Sequence, residues 1–207
     1  MSDISFEDRT VIVTGAGNGL GKAYAIELGN RGAKVVVNDL GGSVDGSGSG
    51  STPADEVVNE IIANGGEAVA NYDSVATKDG GEAIVQTAID SFGTVDAVIN
   101  NAGILRDKSF AKMTEEELSL IIDVHLKGTF FVSQPAFTVM KEKNYGRIVN
   151  VASPSGLFGN FGQSNYGAAK MGIVGLTNVL AIEGAKYNIQ VKGLAPTAYT
   201  RLTEALL

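Results

Sequence analysis

The 207-residue chain has no cysteine, no tryptophan and a single histidine. Without cysteine there is no disulfide framework and no thiolate metal site, and one imidazole cannot build a multi-histidine metal centre. No apolar run approaches the roughly 20 residues that a helix needs to span a bilayer. Positive charge is scarce as well: 16 Lys and Arg stand against 23 Asp and Glu, a net charge of -7. An acidic surface repels a phosphate backbone, so nucleic acid is not an expected partner. The first ten residues, MSDISFEDRT, are polar and acidic. They read as neither a signal nor a transit peptide, and the default expectation is a cytoplasmic compartment.

What the chain does have is 44% hydrophobic residues and 27 glycines, which suits one globular domain over 1–207 with many tight turns. Short β-branched runs at 10–14 (TVIVT) and 33–38 (AKVVVN) read as buried strands. Further strands are expected at 67–70, 95–99, 147–151 and 190–194. Helical spacing recurs at 18–31, 54–63, 77–92 and 166–187. Thr114, with Glu117 in the capping-box position, opens a long helix to about residue 143 that Gly128 and Pro135 can bend. Residues 40–53, LGGSVDGSGSGSTP, read as a flexible loop. Strands alternating with helices predict an α/β, doubly wound parallel sheet of Rossmann type, with ligands at the carboxyl ends of the strands.

Residues 14–21 read TGAGNGLG, directly after the first strand and opening the first helix. Gly15, Gly19 and Gly21 let the backbone turn and approach a pyrophosphate, while Asn18 and Leu20 lie at a helix N-terminus with free N–H groups. The glycines alone also fit a plain strand–helix turn. The acid closing the second strand, Asp39, lies 24 residues past Gly15, where a carboxylate can accept the adenosine ribose hydroxyls and repel a 2'-phosphate. Neither Asn18 nor Leu40 offers a cation for that phosphate, so NAD is expected over NADP. A loop acid without a ligand is the plainer alternative.

Residues 153–170 read SPSGLFGNFGQSNYGAAK. Tyr166 and Lys170 are four apart, which places phenol and ammonium on one helix face. A free tyrosine, with a pKa of roughly 10, is a poor proton carrier near neutrality, and a nearby cation favours its phenolate. Such a tyrosine exchanges a proton with an alcohol or carbonyl, and a serine hydroxyl can hold that oxygen. Ser153 lies 13 residues before Tyr166, and Ser155, at 11, competes with it. An ordinary surface pair is the bland alternative for the tyrosine and lysine. The segment between Ser153 and Tyr166 is expected to loop through Gly156, Gly159 and Gly162.

TGAGNGLG, NNAG at 100–103, and Ser153, Tyr166 and Lys170 together resemble the short-chain dehydrogenase/reductase family over essentially the whole chain. VVVNDLGG, GGEAVANYDSV, NNAGILRDKSF, VHLKGTF and GNFGQSNY are similar to its (3R)-hydroxyacyl-CoA dehydrogenase branch, the dehydrogenase part of multifunctional enzymes of fatty-acid β-oxidation. A chain from such an enzyme would be peroxisomal. The resemblance implies Tyr166 as general acid/base, Lys170 on the nicotinamide ribose and lowering the tyrosine pKa, and Ser153 on the substrate oxygen. It implies Asp73, Ser74 and Val75 along the adenine, and Asn101, Ala102 and Gly103 beneath the cofactor. Pro196 and Thr197 would flank the carboxamide. The implied reaction is NAD-dependent oxidation of a (3R)-3-hydroxyacyl-CoA, a small-molecule substrate, to the 3-oxoacyl-CoA. A hydroxysteroid dehydrogenase, a 3-oxoacyl reductase and a catalytically silent dinucleotide-binding protein are the alternatives.

One position departs from the family pattern: His125 stands where an asparagine is usual. It could pass a proton to Lys170 through water, or it could be a buried, hydrogen-bonded residue that shapes the helix. Arg106 and Lys108 could meet coenzyme A phosphates or be solvated loop charges. The resemblance also implies a substrate lid and a last strand, expected beyond Leu207, and a homodimer or homotetramer through the two long helices.

Overall fold

The computed structural model describes residues 4–43, 45–48 and 50–198. Six parallel strands, β1 (Thr10–Thr14), β2 (Lys34–Asn38), β3 (Glu67–Asn71), β4 (Ala97–Asn100), β5 (Gly146–Val151) and β6 (Ile189–Leu194), form one sheet in the order β3-β2-β1-β4-β5-β6. The connecting helices are α1 (Gly19–Asn30), α2 (Thr52–Ala63), α3 (Lys78–Phe92), α4 (Glu115–Ile121), α5 (Gly128–Glu142), α6 (Pro154–Phe158) and α7 (Ser164–Gly184). From β1 the chain winds outward one way to β3, then crosses back to β4 and winds the other way. The crevice of a doubly wound sheet opens at that reversal, beyond the carboxyl ends of β1 and β4.

Both faces of the sheet are covered, so its strands read as continuous apolar runs rather than alternating ones. Val11, Val13, Val35 and Val37 pack with Ala25, Val57 and Ile61 under α1 and α2. Their neighbours Ile12, Val36, Val98 and Ile148 point the opposite way and pack with Ile84, Val132 and Met140 of α3 and α5, with Leu180 of α7 against them. Ile12 is fully buried, and truncating such a side chain to Ala costs about 2–5 kcal/mol.

Two segments differ from the sequence expectations. The long helix starts as predicted, with Thr114 and Glu117 forming a reciprocal capping box. It is then interrupted by a π turn, Ile122–Lys127, just ahead of Gly128. The wider turn accommodates an extra residue, and His125 within it is buried. The stretch after Ser153 is not a plain loop but the short helix α6. Ser153 is its N-cap, accepting a hydrogen bond from Ser155 N at 3.2 Å, and Pro154 opens the first turn. The described residues of the Gly/Ser segment after β2 form a loop, as expected, with hydrogen bonds of its own: Asp45 Oδ1 accepts from Ser43 Oγ at 2.7 Å and Ser47 N at 3.0 Å, and Arg106 Nε donates to Asp45 O at 2.6 Å. Asp45 is held far below the usual carboxylate range by those serine hydroxyls and the Ser47 amide.

Among the described residues no helix is long and apolar enough to cross a membrane. The lid and last strand expected from the family pattern fall outside the described residues.

Candidate active site

A cleft of about 500 Å³ runs along the carboxyl edge of the sheet. The turn after β1, the end of β2, the segments after β3, β4 and β5, the π turn and the first turns of α7 all contribute to its walls.

At the β1–α1 turn the glycines leave room for main chain to approach main chain, and a few polar side chains clamp it. Gly15 has φ +62°, and a Cβ there would fall 2.7 Å from Ala102 Cα. A Cβ on Gly21 would fall 2.2 Å from Gly15 O, so only glycine lets α1 start this close to the turn. Asn101 Nδ2 donates to both Thr14 O and Gly15 O at 3.0 Å, while Thr14 Oγ1 accepts from Asn101 N at 3.0 Å and Ala102 N at 3.1 Å. These bonds clamp the glycine turn to the strand end beside it. The two buried carboxylate oxygens of Asp39 accept from Gly17 N and Gly41 N, each at 2.7 Å. Each oxygen keeps a lone pair for a further donor from the cleft.

Of the residues expected at the cofactor, Gly15, Asn18, Gly19, Leu20, Asp39, Ser74, Val75, Asn101, Ala102, Gly103, Pro196 and Thr197 line the cleft. Asp73 and Gly21 do not. The Asp73 carboxylate instead accepts from Asn71 Nδ2 at 2.7 Å, and Asn38 Nδ2 donates to Asp73 O at 2.9 Å. Asp73 therefore shapes the turn after β3, leaving the cleft wall to Ser74, Val75 and Ala76. A glycine cradle that a Cβ would fill and a carboxylate at the end of β2 fit an adenine dinucleotide.

The other end of the cleft is built from side chains. Ser153, Tyr166, Lys170 and His125 meet there. Lys170 is 3% exposed, and its Nζ donates to Val151 O at 2.6 Å and stands 5.5 Å from the centre of the Tyr166 ring. Burial pulls its pKa down to about 7 from the ordinary 10.5. The Tyr166 phenol is pushed up from 10.0, chiefly by burial and also by the Asp107 carboxylate, while the Ser153 hydroxyl draws it back down. The expected lowering of this pKa by Lys170 is thus not met: desolvation of the phenolate is the largest influence on it. Ser153 and Ser155 both line the cleft, and of the two it is the Ser153 hydroxyl that bears on the phenol's proton affinity.

His125 is 2% exposed and stands edge-on to Tyr166, with ring centres 5.1 Å apart. Its Nε2 lies 2.8 Å from Ile104 O and 3.2 Å from Ile104 N. Among the described residues Nδ1, which is buried, has no hydrogen-bond partner. Burial first, and then the Lys170 charge, lower the His125 pKa to about 3, so the imidazole is neutral near pH 7. With a proton on Nε2 for the shorter contact, Nδ1 is a bare acceptor.

Sequence reasoning missed the apolar wall made by Ile104, Leu105, Leu120 and Val124. The apolar pair directly after NNAG was the available signal. Arg106 and Lys108 are engaged within the fold, Arg106 on Asp45 O and Lys108 with Glu117 at 3.9 Å.

The family model described as short chain dehydrogenase matches residues 9–206. A peroxisomal hydratase-dehydrogenase-epimerase of Saccharomyces cerevisiae is 60% identical over 99% of this chain, which spans 23% of that protein. A short-chain type dehydrogenase/reductase of Mycobacterium tuberculosis is 58% identical over 97% of this chain and 70% of its own length. Among solved structures, a short chain dehydrogenase from Mycobacterium avium superposes with a TM-score of 0.88 at 47% identity, covering 95% of this chain and 70% of that one. Full-length peroxisomal multifunctional enzyme type 2 from Drosophila melanogaster gives 0.78 at 46% identity, covering 95% of this chain and 32% of the other. With the glycine turn, the serine–tyrosine–lysine cluster and these matches together, the chain belongs to the short-chain dehydrogenase family of oxidoreductases, whose members use nicotinamide dinucleotides.

Proposed function

We propose that the chain is an NAD-dependent dehydrogenase that oxidises a (3R)-3-hydroxyacyl-CoA to the 3-oxoacyl-CoA. The observation that carries the reading is the convergence of Ser153, Tyr166 and Lys170 in the same cleft as Asp39 and the Gly15 turn. Asp39 supports NAD: Lys170, at the tyrosine end, is the only Lys or Arg among the described residues lining the cleft, which leaves a 2'-phosphate beside Asp39 without a counter-charge. The peroxisomal multifunctional relatives support the substrate class.

Ser153 Oγ holds the substrate hydroxyl against the Tyr166 phenol. Tyr166, in the phenolate form that its raised pKa leaves as the minor one near neutrality, takes the hydroxyl proton as the C3–H bond breaks. Bound NAD would accept the hydride from C3. Lys170, when protonated, supplies the positive charge that favours the phenolate and a donor through which the proton can leave. His125 Nδ1, neutral and without a partner among the described residues, suits the acceptor role for a water in that exit path, which is the role proposed for it here. Ile104, Leu105, Leu120 and Val124 exclude bulk water from the acyl side.

The test is turnover of (3R)- and (3S)-3-hydroxyacyl-CoA and of a hydroxysteroid, each with NAD and NADP. Faster reaction of the (3R)-acyl-CoA with NAD supports the reading. Preference for the steroid or for NADP overturns it, and NAD binding without turnover on any alcohol points to a silent dinucleotide-binding protein. The same reading includes a homodimer. Phe130 of α5 and Val179 and Ile182 of α7 are 48%, 51% and 79% exposed, and a second copy would cover them. A monomeric mass in sedimentation removes that part. The names of the relatives also favour a peroxisomal location, tested by imaging the tagged full chain.

A further inference from the structure

We propose that Asn165, next to the tyrosine, is a positioning residue: its side chain ties the first turn of α7 to α4 and to the segment after β4, and so aims the Tyr166 phenol at Ser153. The inference rests on the reading of Tyr166 as the proton acceptor.

A helix leaves its first N–H groups without intrahelical partners, and the N-cap side chain commonly serves them. In α7 the first i to i−4 bond is Gly167 N to Gln163 O, so Tyr166 N–H is still an orphan. The N-cap, Gln163, makes no capping bond. Its side chain is used elsewhere, donating to Asp107 Oδ2 at 2.8 Å and accepting from Asn160 Nδ2 at 3.1 Å. Asn165 serves the orphan instead, its Oδ1 accepting from Tyr166 N at 2.7 Å.

The amide nitrogen of the same side chain faces away from α7. Asn165 Nδ2 donates to Arg106 O at 3.0 Å and to Glu117 O at 3.1 Å. Both donors are used, the acceptor is used, and the residue is 1% exposed. Each anchor is itself held. Glu117 is fixed by the capping box with Thr114, and Arg106 grips Asp45 O. Ile104, two residues before Arg106, is held by His125. The backbone carrying the phenol is therefore pinned to the cleft wall on which substrate must lie. Neither carbonyl partner can adjust as a side chain could, so losing the amide frees the tyrosine-bearing turn. Such a displacement of a reacting group by about 1 Å can lower a rate roughly a hundredfold.

The test uses Asn165→Ala and Asn165→Ser, neither of which can reach both carbonyls. Folding is checked by circular dichroism and by NAD affinity, which is expected to stay within about threefold. Under the proposal kcat falls roughly 10–100-fold with KM changed much less. Carbon-13 NMR of Cζ-labelled tyrosine, with Tyr166→Phe assigning the resonance, follows the phenol without any turnover. Ser153, Asp107, Lys170 and His125 face that phenol, and release from this buried setting moves its titration down toward the ordinary value while the other tyrosines stay put. An unchanged Tyr166 titration together with unchanged kcat in either folded variant overturns the proposal. If wild type turns over no substrate, the reading of function fails, yet the titration still decides whether Asn165 positions the tyrosine. Because serine leaves a smaller cavity and a polar group, Asn165→Ser supplies the answer should the alanine variant not fold.

Discussion

The two ends of the cleft are made by different means. At the β1–α1 turn the working parts are main-chain groups, the absence of side chains and one carboxylate: Gly15 against Ala102, Gly21 against Gly15 O, and Asp39 gripped by two amides. At the α7 end the working parts are buried side chains whose proton affinities are moved by their surroundings, Lys170 to about 7 and His125 to about 3. The first end is a shape; the second is an electrostatic setting. A shape fails when an atom is added, whereas an electrostatic setting fails when a group is removed or its burial is relieved.

Substitutions at the two ends should therefore separate binding from chemistry. The largest effect is expected for Tyr166→Phe, which removes the proton acceptor and keeps the ring. Turnover falls about a thousandfold, within the usual range for general acid–base catalysis, while NAD affinity measured by calorimetry changes little. Gly21→Ala is the reverse case. Its Cβ meets Gly15 O at 2.2 Å, and overpacking of roughly 1–3 kcal/mol should weaken NAD binding about 10–100-fold without moving the pH profile of the residual activity. Equal losses of binding and kcat in both variants would erase the distinction between the ends. Asp39→Ala should weaken NAD by about tenfold and flatten the NAD over NADP preference, since a carboxylate hydrogen bond of roughly 1.5–3 kcal/mol is lost.

Lys170→Met sharpens the comparison through stability. The folded pKa, about 7, lies below the ordinary 10.5, so between those values the unfolded chain holds the extra proton and stability rises with pH. Below pH 7 the full cost of the buried ammonium is present. The methionine variant should lose turnover, melt no lower than wild type at pH 7, and lack the rise in Tm from pH 7 to 10. A wild-type Tm flat over that range would count against the burial. The smallest effect is expected at the helix interruption. His125→Ala should lower kcat by less than about tenfold and alter its pH dependence; full turnover with an unchanged profile removes His125 from the proton path.

The glycine turn was legible because its spacing follows from backbone sterics that act within eight residues. The capping box at Thr114 and Glu117 was legible for the same local reason. The helix after Ser153 carried a readable signal too, serine followed by proline, but the glycines around it pointed to a loop. The π turn at His125 had no comparable local mark, because it is decided by how α4, α5 and α7 pack. Asn165 was silent in the sequence: nothing in SNYG says that its amide meets the carbonyls of Arg106 and Glu117, 59 and 48 residues away.

By itself the sequence determined the alternation of strands and helices, which follows from local periodicity, while the glycine turn with its acid and the serine, tyrosine and lysine were marked by their spacing together with the family resemblance. Tertiary structure alone decided the charge states and the aim of those groups. Proton affinity depends on desolvation and on neighbours brought in from distant strands, and burial raised the phenol where spacing alone predicted that the lysine would lower it.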